Sequence, residues 1–218
     1  MTDHDRLRTR TALFTAALLA CAAAACHDEP AGATTASAAA PTPPGAPVEV
    51  AAPSPPSPSP LEQVLKATTI GDAIDRVRPQ LDDEHDQHSA GTLLLTAWAA
   101  HHLRWSDVAV TKNETSFALV RKDVDAARGR RMCASGQVIE IARDSIADGT
   151  FFHGLLMTYR QDLLSFQAVA STGELVEMSP ARFCGVVTGR FDYSNSAGGT
   201  GHAVDMVGMF DLPDNRAP

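Results

Sequence analysis

Two hydrophobic rhythms divide the chain after Leu61. Over residues 61–110 the spacing is helical. Leu61, Val64 and Leu65 open one run, and Ile70, Ile74, Val77 and Leu81 continue it at intervals of four, three and four. Thr69 followed three residues later by Asp72 predicts a capped helix start. Pro79 predicts an end or kink near Arg78. After the polar run Asp82-Asp83-Glu84-His85-Asp86-Gln87-His88, a second helix is predicted to start between Ser89 and Thr92. It presents Leu94, Ala97, Trp98, His101 and Trp105 along one face. Beyond Asp125 the rhythm becomes that of strands. Five Val-, Ile- and Phe-rich stretches fall near 131–141, 151–159, 163–170, 181–193 and 203–212. Asp148-Gly149, Arg160-Gln161-Asp162 and the segment 194–201 separate them as hairpin connections, and Leu175 with Val176 is expected to form a turn of helix in the longer link 171–180.

The first 60 residues follow neither rhythm. Residues 1–10 are polar and basic, 11–25 are apolar and alanine-rich, and Cys26-His27-Asp28-Glu29 restores polarity. A basic start, a short apolar core and small residues before a cut site describe a secretory signal. The segment Ala23-Ala24-Ala25-Cys26 resembles the bacterial lipobox, in which the cysteine is lipidated and becomes the new N-terminus; Leu18-Leu19-Ala20-Cys21 is the alternative. From Pro30 to Pro60, ten of 31 residues are proline, among Ala, Ser, Thr and Gly. Such a stretch has little to bury and is expected to be a disordered tether, extended at about 3.1 Å per residue. The expected organisation is a signal peptide over 1–26, a linker over 27–60, a helical segment over 61–124, a β unit over 125–212 and a tail over 213–218.

Glycines recur inside the predicted strands at positions 136, 154, 185, 189 and 208. Internal glycines suit a sheet that coils tightly on itself. The run from Arg128 to Val138 and the run Phe183-Cys184-Gly185-Val186-Val187-Thr188-Gly189 resemble the first and fourth strands of OB-fold domains in bacterial envelope lipoproteins. That resemblance spans residues 128–212. It implies an α+β fold: a small five-stranded Greek-key β-barrel preceded by two helices. It also implies a ligand face built from strands two and three and two connecting loops, and no particular activity. The residues expected on that face are Phe151, Tyr159, Phe166, Asn195, Gly198, Gly199 and His202. Cys133 and Cys184 lie in the first and fourth strands, which are neighbours in such a barrel, and are expected to form a disulfide in an oxidising compartment.

Charge narrows the partners. The chain carries a formal charge of −8, and without the +1 of residues 1–26 the remainder carries −9. A negative protein repels phosphate backbones, so nucleic acid is not the expected partner. The basic cluster Arg121, Lys122, Arg128, Arg130 and Arg131 is read as a solvated face. So is the acidic run with His85 and His88, which lacks apolar anchors to fix metal ligands. His101 is read as a packed, hydrogen-bonded side chain beside His102. The segment 194–201 lacks the ending of a phosphate-binding loop and is read as a mobile hairpin. No catalytic motif commits a residue, and no metal or cofactor is expected. The expectation is a non-enzymatic binding or scaffold module, lipid-anchored at the cell envelope, with an envelope protein or cell-wall component as partner. A metal-dependent hydrolase using His153 or His202 and a single-stranded nucleic-acid binder are the alternatives.

Overall fold

Caps on the helices and alternation in the strands account for the element order in the computed structural model, which describes residues 57–83, 86–194 and 198–217. Cys21 and Cys26, the expected signal segment, and nearly all of the expected tether lie outside the described residues. Helix α1 (Pro60–Leu65) opens on a reciprocal box between Ser59 and Glu62. Helix α2 (Ile70–Val77) starts at Thr69, whose side chain accepts from the Asp72 amide. It buries Ala73, Ile74 and Val77 and passes into one turn of 3-10 helix at Arg78–Gln80, where Pro79 sits. Helix α3 (Ala90–His102) is capped by Ser89, whose hydroxyl accepts from the Thr92 amide.

Helix α3 is buried on most of its circumference, from Gly91 and Thr92 through Leu95 to Ala99. One side meets α1 and α2, and the other meets the sheet. Trp98 anchors it, donating its indole N–H to the Ala67 carbonyl at 2.9 Å. Trp105 lies outside this helix and starts the short α4 (Trp105–Val108). Two further short helices, α5 (Phe117–Lys122) and α6 (Val124–Ala127), precede the sheet, capped by Ser116 and Asp123.

The strands are β1 (Arg131–Ile146), β2 (Gly149–Thr158), β3 (Leu163–Val169), β4 (Pro180–Ser194) and β5 (Thr200–Phe210). They close in a ring with the order β1-β2-β3-β5-β4. All neighbours are antiparallel except β3 and β5. Helix α7 (Pro213–Arg216) ends the described chain. Two corrections concern the connections. The β1–β2 turn is centred on Ala147 and Asp148, both at positive φ, and not on Asp148-Gly149. Gly149 is instead the first residue of β2, tight against Ala100: a Cβ there would lie 2.5 Å from the Ala100 Cβ. Leu175 and Val176 form no helix; they lie between turns at Gly173-Glu174 and Glu177-Met178, and Val176 is exposed.

Two cores lie on opposite faces of the strands. Inside the ring, Phe166, Phe183 and Phe210 meet Leu156, Leu164, Val187 and Met206, closed at one side by Val120 and Ala127 of α5 and α6. Outside it, Val186, Val207, Met209 and Phe151 pack under Leu95, Trp98 and Val77 of the helices. Strands β4 and β5 are therefore buried on both faces over most of their length, which masks simple alternation. Gly185 and Gly208 face each other across β4 and β5. A Cβ on Gly208 would fall 2.1 Å from the Cys184 carbonyl oxygen, so the approach requires glycine.

Candidate functional site

Cys133 and Cys184 are directly opposite across β1 and β4, with Cα atoms 4.1 Å apart, and are joined by a disulfide. The first half of β1 outruns β2, whose pairing begins only at Gly136. Residues from the helical segment cover that stretch. Asn113 brackets Cys133, its amide donating to the Cys133 carbonyl at 3.0 Å and its oxygen accepting from the Cys133 N–H at 2.8 Å. Glu114 donates its backbone N–H to the Arg131 carbonyl, and its carboxylate pairs with the Arg131 guanidinium. The Arg131 guanidinium, and after it the Arg131 backbone N–H, hold the Glu114 carboxyl below its ordinary range. With both cysteines replaced by serine, the chain is expected to lose about 2–4 kcal/mol, since the bond closes a separation of 51 residues. Urea denaturation of the oxidised wild type and the double variant measures it.

The far half of β4 outruns β1 in the same way, and the acidic run covers it. Asp83 accepts from the Arg190 backbone N–H at 2.9 Å and from Arg128 at 2.8 Å. Arg128 also donates to the Thr188 carbonyl and pairs with Asp125. Asp86 donates its own N–H to the Asp192 carbonyl at 2.7 Å and accepts from the Ser194 N–H at 2.9 Å. The reading of this run as a solvated face is overturned for Asp83 and His88, which are partly buried against an otherwise uncovered strand edge, while Asp86 is bonded to that edge and stays exposed. Glu84 and His85 lie outside the described residues. The basic cluster stays exposed at Arg121, Lys122 and Arg130, while Arg128 is drawn in. Arg121, Arg128 and Arg131 are each tied to a carboxylate: Asp162, Asp83 with Asp125, and Glu114.

Residues 86–89, a strap along the far edge of β4, end in a buried polar cluster that sequence reasoning missed. Asp205 of β5 is 3% exposed. Its Oδ2 accepts from the hydroxyls of Thr92 and Thr188, both at 3.1 Å. His88 Nδ1 lies 3.3 Å from Oδ2 and 3.2 Å from Oδ1. The other ring nitrogen, Nε2, meets the Gln167 amide nitrogen at 2.9 Å, and Phe191 stacks on the ring at 4.7 Å. Burial pushes the His88 pKa down, but the hydrogen bond and charge of Asp205 outweigh it and hold it above its ordinary value. The available signal was an aspartate between Val204 and Met206 in an otherwise apolar strand.

The residues expected on one ligand face are dispersed. Tyr159 is 75% exposed, just past the end of β2. Phe151 belongs to the core under the helices, and Phe166 to the core inside the ring. His202 is half-exposed and pairs with Asp192 at 2.6 Å. Burial raises the Asp192 pKa, but donation from His202 and Arg190 outweighs this and holds the carboxyl below its ordinary range. Gly198 takes a positive φ next to Gly199 in the β4–β5 connection, while Asn195 lies outside the described residues. His153 opposes Gln167, which opposes Val207, so the register keeps it several residues along the sheet from His202. His101 is exposed rather than packed on the apolar stripe, though its Nε2 does bond the Ala147 carbonyl at 2.8 Å.

Tyr159 stands where two grooves meet. One, of about 560 Å³, runs past Phe117, Arg121, Cys133, Ser135 and Arg160. The other, of about 300 Å³, runs past Leu175, Pro180, Arg182 and Leu212. A larger cleft of about 690 Å³ lies between α4 and α7, over Leu103, Trp105 and Met209. The described residues contain no group of three or more His, Cys, Asp or Glu side chains placed to hold a metal ion. Compared with known protein families, curated proteins and solved structures, the chain gives no significant match.

Proposed function

We propose that this chain is an exported, lipid-anchored protein of the bacterial cell envelope whose folded unit is a non-enzymatic binding or scaffold module built on an OB-type Greek-key barrel. The observation that carries the address is the Cys133–Cys184 bond inside the folded unit, since such bonds persist outside the reducing cytoplasm. It agrees with the lipobox-like segment at Cys26 and the proline-rich tether behind it. Among the described residues no helix is long and apolar enough to cross a membrane, and the lipid on Cys26 is the proposed attachment. The binding surface is the pair of grooves meeting at Tyr159, an exposed aromatic side chain of the kind that anchors protein contacts. A protein or cell-wall component is the partner. Pairing of the arginines with carboxylates speaks against a basic path for nucleic acid. The separation of His153 from His202 speaks against a shared catalytic centre.

Two measurements test this. A clickable fatty-acid label fed to cells making the full chain should enter the wild type and Cys21→Ala but not Cys26→Ala. A wild type that stays unlabelled ends the anchor reading. Pull-down from envelope extract should recover a partner with the wild type, and Tyr159→Ala should weaken its capture by about tenfold, typical of a hot-spot aromatic. Capture unchanged by this substitution would place the contact elsewhere.

A further inference from the structure

The cluster beneath α3 holds more acceptors than donors. Thr92 and Thr188 give neutral hydroxyls to Asp205 Oδ2, while Asp205 Oδ1 and Gln167 Oε1 are buried without a hydrogen bond. Among the described residues, Asp205 is the one charged side chain acting on the His88 ring. The other groups around the cluster are neutral: Gln167 from β3, Phe191 and Thr188 from β4, and Ser89 and Thr92 at the start of α3.

We propose that His88 is a proton-operated latch: protonated, it ties the 86–89 strap to Asp205 and keeps the far edge of β4 covered, and deprotonated, it lets the strap loosen. In the neutral ring Nδ1–H donates to Asp205, and Nε2 accepts from the Gln167 amide N–H. Proton uptake places an N–H on both ring nitrogens. The Gln167 carboxamide then turns over, so that its oxygen accepts from Nε2–H and its NH2 takes the buried position the oxygen left. The imidazolium also gives Asp205 a positive partner, with ring Nδ1 3.2 Å from Oδ1, while the Arg128 guanidinium stands one residue off on the Thr188 carbonyl. Loss of the proton leaves a carboxylate with 3% exposure facing neutral donors alone, an arrangement costly in a low-dielectric interior.

The direction in pH follows from linkage. The folded pKa of His88 lies above its ordinary value of 6.5, so the folded state holds the proton more tightly than the unlatched chain. The latch is therefore fully engaged below 6.5 and is lost as pH rises through the raised folded value. Asp86 stands two residues before His88 and makes the bonds to Asp192 and Ser194, so loosening reaches the β4 edge directly.

The test is hydrogen exchange by NMR on the full chain in detergent micelles, with the His88 ring titrated by its ¹⁵N shifts. The ring midpoint should lie above 6.5. Protection of the Asp86 and Ser194 amides, corrected for base catalysis, should fall across that same midpoint. The fall should be about tenfold per pH unit by which the midpoint exceeds the free value. His88→Asn, which keeps a donor for Asp205 but does not titrate, should abolish the step. Gln167→Leu should lower the midpoint and shrink the step, and it decides the matter should the His88 variant not fold. A midpoint at or below 6.5, protection flat with pH in the wild type, or a step that survives in His88→Asn would each overturn the latch.

Discussion

Replacing Asp205 with alanine is expected to cost about 3–5 kcal/mol of folding stability, more than any surface substitution in this chain. Three donors from three separate elements converge on this carboxylate: His88 from the strap, Thr92 from α3 and Thr188 from β4. Alanine removes the common acceptor and strands two buried hydroxyls and a histidine, each carrying its own desolvation penalty. The loss reaches beyond the pocket, because these bonds join α3 and the strap to the ring. Asp205→Asn keeps an acceptor of the same shape but cannot answer the charge on His88, and should cost less than alanine. Glu177→Ala, on an exposed turn, should stay within about 0.5 kcal/mol. Urea midpoints for the three full-length variants measure the ranking. A loss below about 1 kcal/mol for Asp205→Ala would mean that water takes over the acceptor role.

The strand rhythm was legible because residue type and spacing carry it locally. The five Val-, Ile- and Phe-rich stretches set off by turn signals overlap the five observed strands, and β1 and β4 proved to be neighbours bridged by the two cysteines. What stayed hidden depends on pairs far apart in sequence. Nothing in Asp82–His88 announces that Asp83 will cap the Arg190 amide or that His88 will meet Asp205, 117 residues away. A polar run without apolar anchors looks solvated unless an uncovered strand edge is known to lie beside it. Phe151 and Phe166 were misplaced for a related reason: alternation assigns residues to opposite faces but cannot say that helices cover the outer one. Asp205 was the exception, readable as a lone carboxylate in an apolar strand. Helices α5 and α6, of six and four residues, are too short to show a period.

Phe183→Ala is expected to remove about 3–5 kcal/mol, because the ring interior has no means of closing over the lost side chain. Phe166, Phe183 and Phe210 come from β3, β4 and β5, and all are fully buried. Their ring centroids lie 5.7, 5.1 and 5.3 Å apart, the Phe210 ring standing nearly edge-on to the other two. Such contacts add about 0.5–1.5 kcal/mol to area burial alone. Strands on both sides of the Phe183 position are fixed by hydrogen bonds and by the adjacent disulfide, so the cavity persists instead of collapsing. The contrast with Tyr159→Ala separates scaffold from surface. Tyr159 lies outside both cores and is 75% exposed, so its removal should change stability by no more than about 0.5 kcal/mol while weakening partner capture. Double substitution of Phe166 and Phe183 should cost less than the sum of the singles, since each variant already forfeits the contact they share. Strict additivity in urea denaturation would show that the two rings do not pack against each other, and that the interior is looser than a closed, filled ring requires.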